Sequence, residues 1–314
     1  MPNITLPTEA ERANVDTNSF TWSNSEPGSL TKPHGALVKL ICDQLDAGEY
    51  VQVISQGRGT GKTPKFIVEN TTNGSDLKIV LRDDFGENKG ASVAEANKTG
   101  ASQSQYDAFI NSTSRANVNV LLGSIDNVYL QDLNGSVSES SGTYTYTNTE
   151  TSTEIASLDR SGACTPFNSM STEDINTAVG QILADWHTRE VILNKDNDKL
   201  DGGGARVENY DVQLVCPAPY MQGAFLKPDA DADEKARLDA WLQRDFTIGF
   251  LRVWNKVPVG GVAIYDKVHI PRINSAILDA VAHLDAATYD SCLYNNTEAD
   301  YTGAYQSFAI KKVA

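Results

Sequence analysis

The sequence predicts an α+β fold with mixed, mainly antiparallel sheets, about four to five helices, an extended N-terminal arm and long polar loops. Three observations predict it. Short runs rich in Val, Ile, Phe and Leu at 50–55, 64–69 and 77–82 are separated by turns of Gly, Asn and Asp. Apolar residues recur at helical spacing at Leu37, Leu40, Ile41 and Leu45, and again at Ile175, Val179, Ile182, Leu183 and Trp186. The first thirty residues carry neither period, and Pro2, Pro7 and Pro27 interrupt them. The chain divides accordingly into an arm (1–30), a helix-plus-sheet unit (31–132), a Ser/Thr/Tyr-rich insertion (133–168) and a mixed C-terminal unit (169–314).

Taken in order, the arm is expected to order only against a neighbouring subunit. Ser29 or Thr31 caps the first helix and Gly48 stops it. The three apolar runs then form a small antiparallel sheet, followed by a long exposed loop at 83–103. A short helix at 104–111 and strands at 117–122 and 127–131 lead into 133–153, a Ser/Thr/Tyr alternation that reads as an exposed hairpin or flap. Ser171 and Asp174 stand at capping-box spacing before the Ile175–Trp186 helix. A strand is expected at 207–216, and Asp229, Asp231 and Asp233 open a helix that carries Leu238, Trp241 and Leu242. The runs 246–254 and 257–270 read as long strands, with Gly260 and Gly261 as a bend. Asn274 or Ser275 caps a last helix, and the chain ends on a strand at 307–313.

Composition excludes several roles. Among 314 residues, 26 Lys+Arg stand against 41 Asp+Glu, a formal net charge of −15. Such a chain has no positive footprint for displacing phosphate counterions, so neither sequence-specific nucleic acid nor a membrane surface is an expected partner. The first thirty residues lack the pattern of a secretory signal, and no apolar run approaches the length of a membrane span. Cys42, Cys164, Cys216 and Cys292 show no paired spacing and read as buried free thiols.

Two segments carry local chemical signals. Gly57-Arg58-Gly59-Thr60-Gly61-Lys62-Thr63 comes directly after a predicted strand and ends like a phosphate loop. Gln56 stands where that motif needs its first glycine, and the Pro64–Glu69 run predicts a strand where the motif needs a helix, so a hairpin tip is the preferred reading. Asn194, Asp196, Asp198 and Asp201 alternate like the oxygen ligands of a calcium loop, although Lys199 occupies the position that needs glycine. Calcium is the one cofactor the sequence suggests. His34, His187, His269 and His283 are isolated, no nucleophile elbow occurs, and the adjacent Asp83 and Asp84 read as solvated surface.

The C-terminal Gln306-Ser307-Phe308-Ala309-Ile310-Lys311-Lys312-Val313-Ala314 resembles the terminal strand that closes capsid and tail subunits of tailed bacteriophages. That resemblance implies a non-enzymatic virion protein of capsid, neck or tail, assembled in the host cytoplasm, whose partners are copies of itself and other virion subunits. The alternatives are a glycan- or surface-binding adhesion module, and an enzyme whose site is assembled only in the fold, with Gly57–Thr63 its one local signal.

Overall fold

The computed structural model describes residues 3–21, 31–46, 52–56, 62–77, 79–83, 128–132, 135–148, 153–181, 210–215, 231–296 and 305–314. Its helices are α1 (Glu9–Ala13), α2 (Lys32–Cys42), α3 (Lys62–Asn70), α4 (Thr172–Gln181), α5 (Ala232–Lys256) and α6 (Pro271–Ala282). Its strands are β1 (Val53–Gln56), β2 (Ile79–Asp83), β3 (Val128–Asp132), β4 (Gly135–Ser140), β5 (Thr143–Asn148), β6 (Thr153–Asp159), β7 (Val212–Val215), β8 (Val262–Tyr265), β9 (Tyr289–Asn296) and β10 (Tyr305–Lys312).

Seven strands form one sheet in the order β3-β2-β1-β7-β8-β10-β9, and β4-β5-β6 form a separate antiparallel sheet. The first five strands are parallel, with Ile54 of β1 registered between Val80 of β2 and Gln213 of β7. Only β10 runs against the others: it is antiparallel to β8, Phe308 opposite Tyr265, and to β9, Ala309 opposite Cys292, so β9 runs in the same direction as the first five. The protein is therefore α/β and doubly wound, and the expectation of mainly antiparallel sheets is corrected. Parallel neighbours need crossovers of a dozen residues or more, and each crossover covers a sheet face. Strands buried on both faces lose the polar alternation that marks a one-sided sheet; β7 and β8 are buried at every position.

The two faces carry separate cores. On one, Val53, Ile79, Val212, Leu214, Val262, Ile264 and Ala309 pack against α2, α3 and the N-terminal arm. On the other, Val215, Ala263, Tyr265, Phe308 and Ile310 pack against α4, α5 and α6. Successive residues of one strand thus enter opposite cores, as the period of two requires.

Two elements reverse their predicted type. The run at 64–69 lies in α3: Pro64 falls in its first turn, where a missing N–H costs no helical hydrogen bond. The run at 246–254 is the C-terminal half of α5, and every residue from Phe246 to Trp254 is buried. A helix covered on all sides is apolar on all sides, so its period vanishes and it imitates a buried strand. The predicted strand at 257–270 shortens to β8, preceded by a turn in which Gly260 has φ +88° and the Gly261 N–H donates to Pro258 O at 2.9 Å. Helix α2 begins behind Thr31 as expected, α5 is capped by Asp231, and α6 starts at Pro271, before Asn274. The predicted elements at 104–111 and 117–122 lie outside the described residues.

The arm does not wait for a neighbour. Ile4 is fully buried and Phe20 nearly so, the latter with its ring edge-on to Phe66 at 5.1 Å. Thr5 N–H donates to Gln44 Oε1 at 2.8 Å and Gln44 Nε2 returns a bond to Thr5 O at 2.9 Å. Thr8 and Glu11 close a capping box over α1, readable in the sequence as Thr-x-x-Glu. Hydrogen bonding to Thr8 holds the Glu11 carboxyl below its ordinary range. Phe20→Ala, which empties this contact without touching the sheet, is expected to lower the unfolding free energy by about 3–5 kcal/mol in a urea titration.

Candidate functional site at the C-terminal edge of the sheet

Because β1, β2, β3, β7 and β8 run the same way, their C-terminal ends, Gln56, Asp83, Asp132, Val215 and Tyr265, share one edge. From β1 the chain winds outward through β2 to β3, then returns to β7 on the other side of β1. The gap between β1 and β7 is the topological switch point, where crossovers leave in opposite directions and open a crevice for a ligand.

The glycine-rich segment of the sequence joins β1 to α3 at this point. Residues 57–61 lie outside the described residues, but both flanks are described, and the downstream flank is a helix. One of the two reasons for reading a hairpin tip is thereby removed: the order is strand, glycine-rich loop, helix, strand. Beneath it, Ser55 is fully buried, and its Oγ has no hydrogen-bond partner among the described residues. Thr63, in the first turn of α3, is likewise buried. A buried hydroxyl without a partner costs free energy unless something bonds to it, so this position fits a polar ligand group. Asp83 ends β2, in register with Asp132 of β3. It belongs to a strand, not to the solvated loop expected from its neighbour Asp84, and it comes after Gly61 by about twenty residues, the separation at which an acidic residue meets a ribose.

A second group of polar residues occupies the same edge. Asp266 comes directly after β8, is fully buried, and its N–H donates to Val215 O at 3.3 Å. Lys267 has φ +57°, a left-handed backbone rarely taken by a residue with a side chain, and it turns the chain toward His269. Burial pushes the His269 imidazole below its ordinary range; the Asp266 carboxylate opposes this and Lys267 adds to it. From the other side, His34 in the first turn of α2 places Nδ1 3.0 Å from Ser307 Oγ, both residues buried. Phe308, next to Ser307, pairs with Tyr265, next to Asp266, so α2, β10 and β8 bring His34, Ser307 and Asp266 to one edge.

The three-stranded sheet is inserted directly after β3, at this edge as well. It begins as the expected Ser/Thr/Tyr hairpin: β4 and β5 are joined by Ser141 (φ +51°) and Gly142 (φ +83°), the two positive φ values of a type I′ turn. A Cβ on Gly142 would stand 2.6 Å from Ser161 Cα. Its last strand is latched to α5. Arg160 Nε donates to Asp245 Oδ2 at 2.8 Å and Nη2 lies 2.6 Å from the same oxygen. The Arg160 and Arg244 guanidinium groups lie 4.3 and 4.1 Å from the Trp241 ring, whose Nε1–H donates to Gly162 O at 2.9 Å. Burial raises the Asp245 carboxyl despite both arginines.

The sequence brought none of this edge together. Asn194, Asp196, Asp198 and Asp201 lie outside the described residues, and among the described residues no three metal-ligating side chains converge. Asp231, read as helix-end charge, accepts from Glu234 N–H at 2.9 Å. Among the free cysteines, Cys42 is buried, with burial raising its thiol, whereas Cys164 and Cys292 are half-buried. Cys216 lies outside the described residues. No helix among the described residues is long and apolar enough to cross a membrane.

No family model matches the chain, and no curated protein matches it. Solved structures do. An rRNA methylase from Streptococcus thermophilus matches at 10% identity and TM-score 0.36, over 87% of this chain and 92% of its own. The O-methyltransferase of tomaymycin synthesis from Streptomyces achromogenes matches at 10% identity and TM-score 0.40, over 90% and 81%. An O-methyltransferase from Bacillus cereus matches at 10% identity and TM-score 0.39, over 98% and 93%. Similarity at this level does not carry an activity across by itself.

The virion expectation is corrected here. The segment that carried it, Gln306–Ala314, supplies β10, an interior strand of a doubly wound sheet inserted between β8 and β9, and not a strand that closes a subunit. The expectation of a non-enzymatic capsid, neck or tail subunit rested on that terminal strand and falls with it.

Two measurements test this site. In an NMR titration His269 is expected to protonate below the ordinary histidine value of about 6.5. A base with a lowered folded-state pKa binds fewer protons than the unfolded chain between those two values, so this residue's contribution is intact above about pH 6.5 and is lost as pH falls through the window. Arg160→Ala leaves Asp245 buried with only Arg244, whose Nη2 is 3.7 Å away. A loss of about 3–5 kcal/mol in chemical denaturation is expected.

Proposed function

We propose that the protein is an S-adenosylmethionine-dependent methyltransferase. The carrying observation is the unit β1, Gly57–Gly61, α3, β2 and terminal Asp83 at the switch point between β1 and β7. This is how a doubly wound sheet holds an adenosine: the loop lets the cofactor approach the backbone, and the acidic residue accepts from ribose hydroxyls.

Two features favour a single adenosine over a dinucleotide. A dinucleotide site joins two mononucleotide halves, each ending in a parallel strand. Here the second half stops at β8, and the next place in the sheet is taken by antiparallel β10. The glycines at 57, 59 and 61 also miss the G-x-G-x-x-G spacing that wraps a pyrophosphate, and Gln56 defeats the phosphate loop. S-adenosylmethionine supplies an electrophilic methyl carbon on a sulfonium. The Ser55 hydroxyl and the first turn of α3 lie where its polar amino-acid portion would sit. His269, exposed at this edge and positioned after Asp266, is suited to take the proton from an acceptor hydroxyl or amine.

The acceptor is a small molecule rather than rRNA. The chain carries a formal −15, and its inserted sheet, residues 135–159, contains Glu139, Glu150, Glu154 and Asp159 with no Lys or Arg. Phosphate backbones are repelled by such a surface.

Calorimetry with S-adenosylhomocysteine is expected to show one site per chain. Asp83→Ala should weaken it by roughly ten- to hundredfold, the worth of hydrogen bonds to a charged acceptor. Binding of NAD or ATP with none of S-adenosylhomocysteine would overturn the assignment.

A further inference from the structure

The outer strand of the sheet, β9, pairs with β10 and with no further strand among the described residues. In an antiparallel ladder the N–H and C=O of one residue point to the same side, and successive residues alternate. Asn295 O accepts from Arg12 Nη2 at 2.6 Å, from the arm rather than from β10. Asn295 therefore faces outward, and so do the backbone groups of Tyr289, Ser291 and Leu293. The arm covers only the far end of the strand, where Tyr294 Oη donates to Pro7 O at 2.7 Å.

Edge strands are ordinarily protected by lysine, proline, a bulge or a covering element. The segment Tyr289-Asp290-Ser291-Cys292-Leu293 has no lysine and no proline, a single exposed charge at Asp290, unbroken pairing with β10, and Leu293 41% exposed. Leu278, the most exposed large apolar side chain described at 63%, belongs to α6, which packs on the same face of the sheet as Tyr289.

We propose that two copies of the chain join through β9, antiparallel, about a two-fold axis at Ser291. The register is self-complementary. Ser291 meets Ser291 of the second copy, and Tyr289 meets Leu293 of the second copy on the face shared with α6. All three are outward-facing residues, so each pair exchanges both backbone hydrogen bonds. The exposed Leu293 gains a cross-strand aromatic partner, a favourable pairing on a sheet surface. Asp290, the only charged residue of β9, falls opposite Cys292, so no charge opposes its like despite the formal −15 of each chain. The proposal does not depend on the cofactor.

Sedimentation velocity over a concentration series tests it. The full chain is expected to approach twice 34.0 kDa. Ser291→Lys places two ammonium groups directly opposite and should weaken association at least about tenfold. Ser291 is exposed, so the circular dichroism spectrum and melting temperature should be kept. Hydrogen exchange supplies the second reading: the Ser291 and Leu293 amides should be protected in the dimer and exchange freely in Ser291→Lys. A monomer at every concentration overturns the proposal. So does a dimer that survives Ser291→Lys with those amides unprotected.

Discussion

A strand paired in parallel on both sides cannot reach either neighbour by a tight turn, and β1 is such a strand, held between β2 and β7. Each neighbour has to be reached through a long crossover, and the crossovers have to lie on the faces. This one pairing entails the two cores, the burial of β7 and β8 on both sides, and the gathering of Gln56, Asp83, Val215 and Tyr265 at one edge. The site is therefore a product of topology: its residues come from α2, β1, α3, β2, β7, β8 and β10, and apart from Ser55–Gln56 and the run Tyr265–His269 they are separated in sequence.

This also explains which elements the sequence revealed. Helix α2 was legible because Thr31 caps it and its apolar residues recur on one side. Strand β10 was legible as a terminal strand, but strand pairing is not written in periodicity, so nothing in Phe308 or Ile310 told that it would sit antiparallel beside a parallel sheet. Helix α5 was half legible. Its exposed N-terminal turns showed charge and spacing, whereas its C-terminal half, buried from Phe246 to Trp254, had no polar side to mark the period. The arm was misread for another reason: Ile4 and Phe20 are isolated anchors, and a segment fixed by two side chains has no period to detect.

The site was obscured by one mistaken element. Gly57–Thr63 was recognised as ending like a phosphate loop, and it was set aside because Gln56 stands where that motif needs glycine and because Pro64 was taken to begin a strand. Proline in the first turn of a helix is ordinary, so of those two grounds only the Gln56 spacing stands. Asp83 was seen only beside Asp84, as one of two loop carboxylates. Its role depends on being the last residue of β2, which no composition reports. His34, Ser307 and Asp266, far apart in the chain, had no local signal at all.

The stitching of the chain's two ends has a consequence for how the molecule is made. Lys311 Nζ donates to Asn3 Oδ1 at 3.2 Å, Ile4 N–H lies 3.4 Å from Gly260 O, and Tyr294 holds Pro7. The arm is therefore held by α2 and α3 on one side and by strands 287 and 308 residues later in the chain on the other. Until β9 and β10 are synthesised, Ile4 has only part of its cavity and one end of the sheet lacks its two outer strands. Closure of this core therefore waits on β9 and β10, and until they are synthesised the nascent chain carries the edge of β8 unpaired, the interval in which a chaperone would find something to hold.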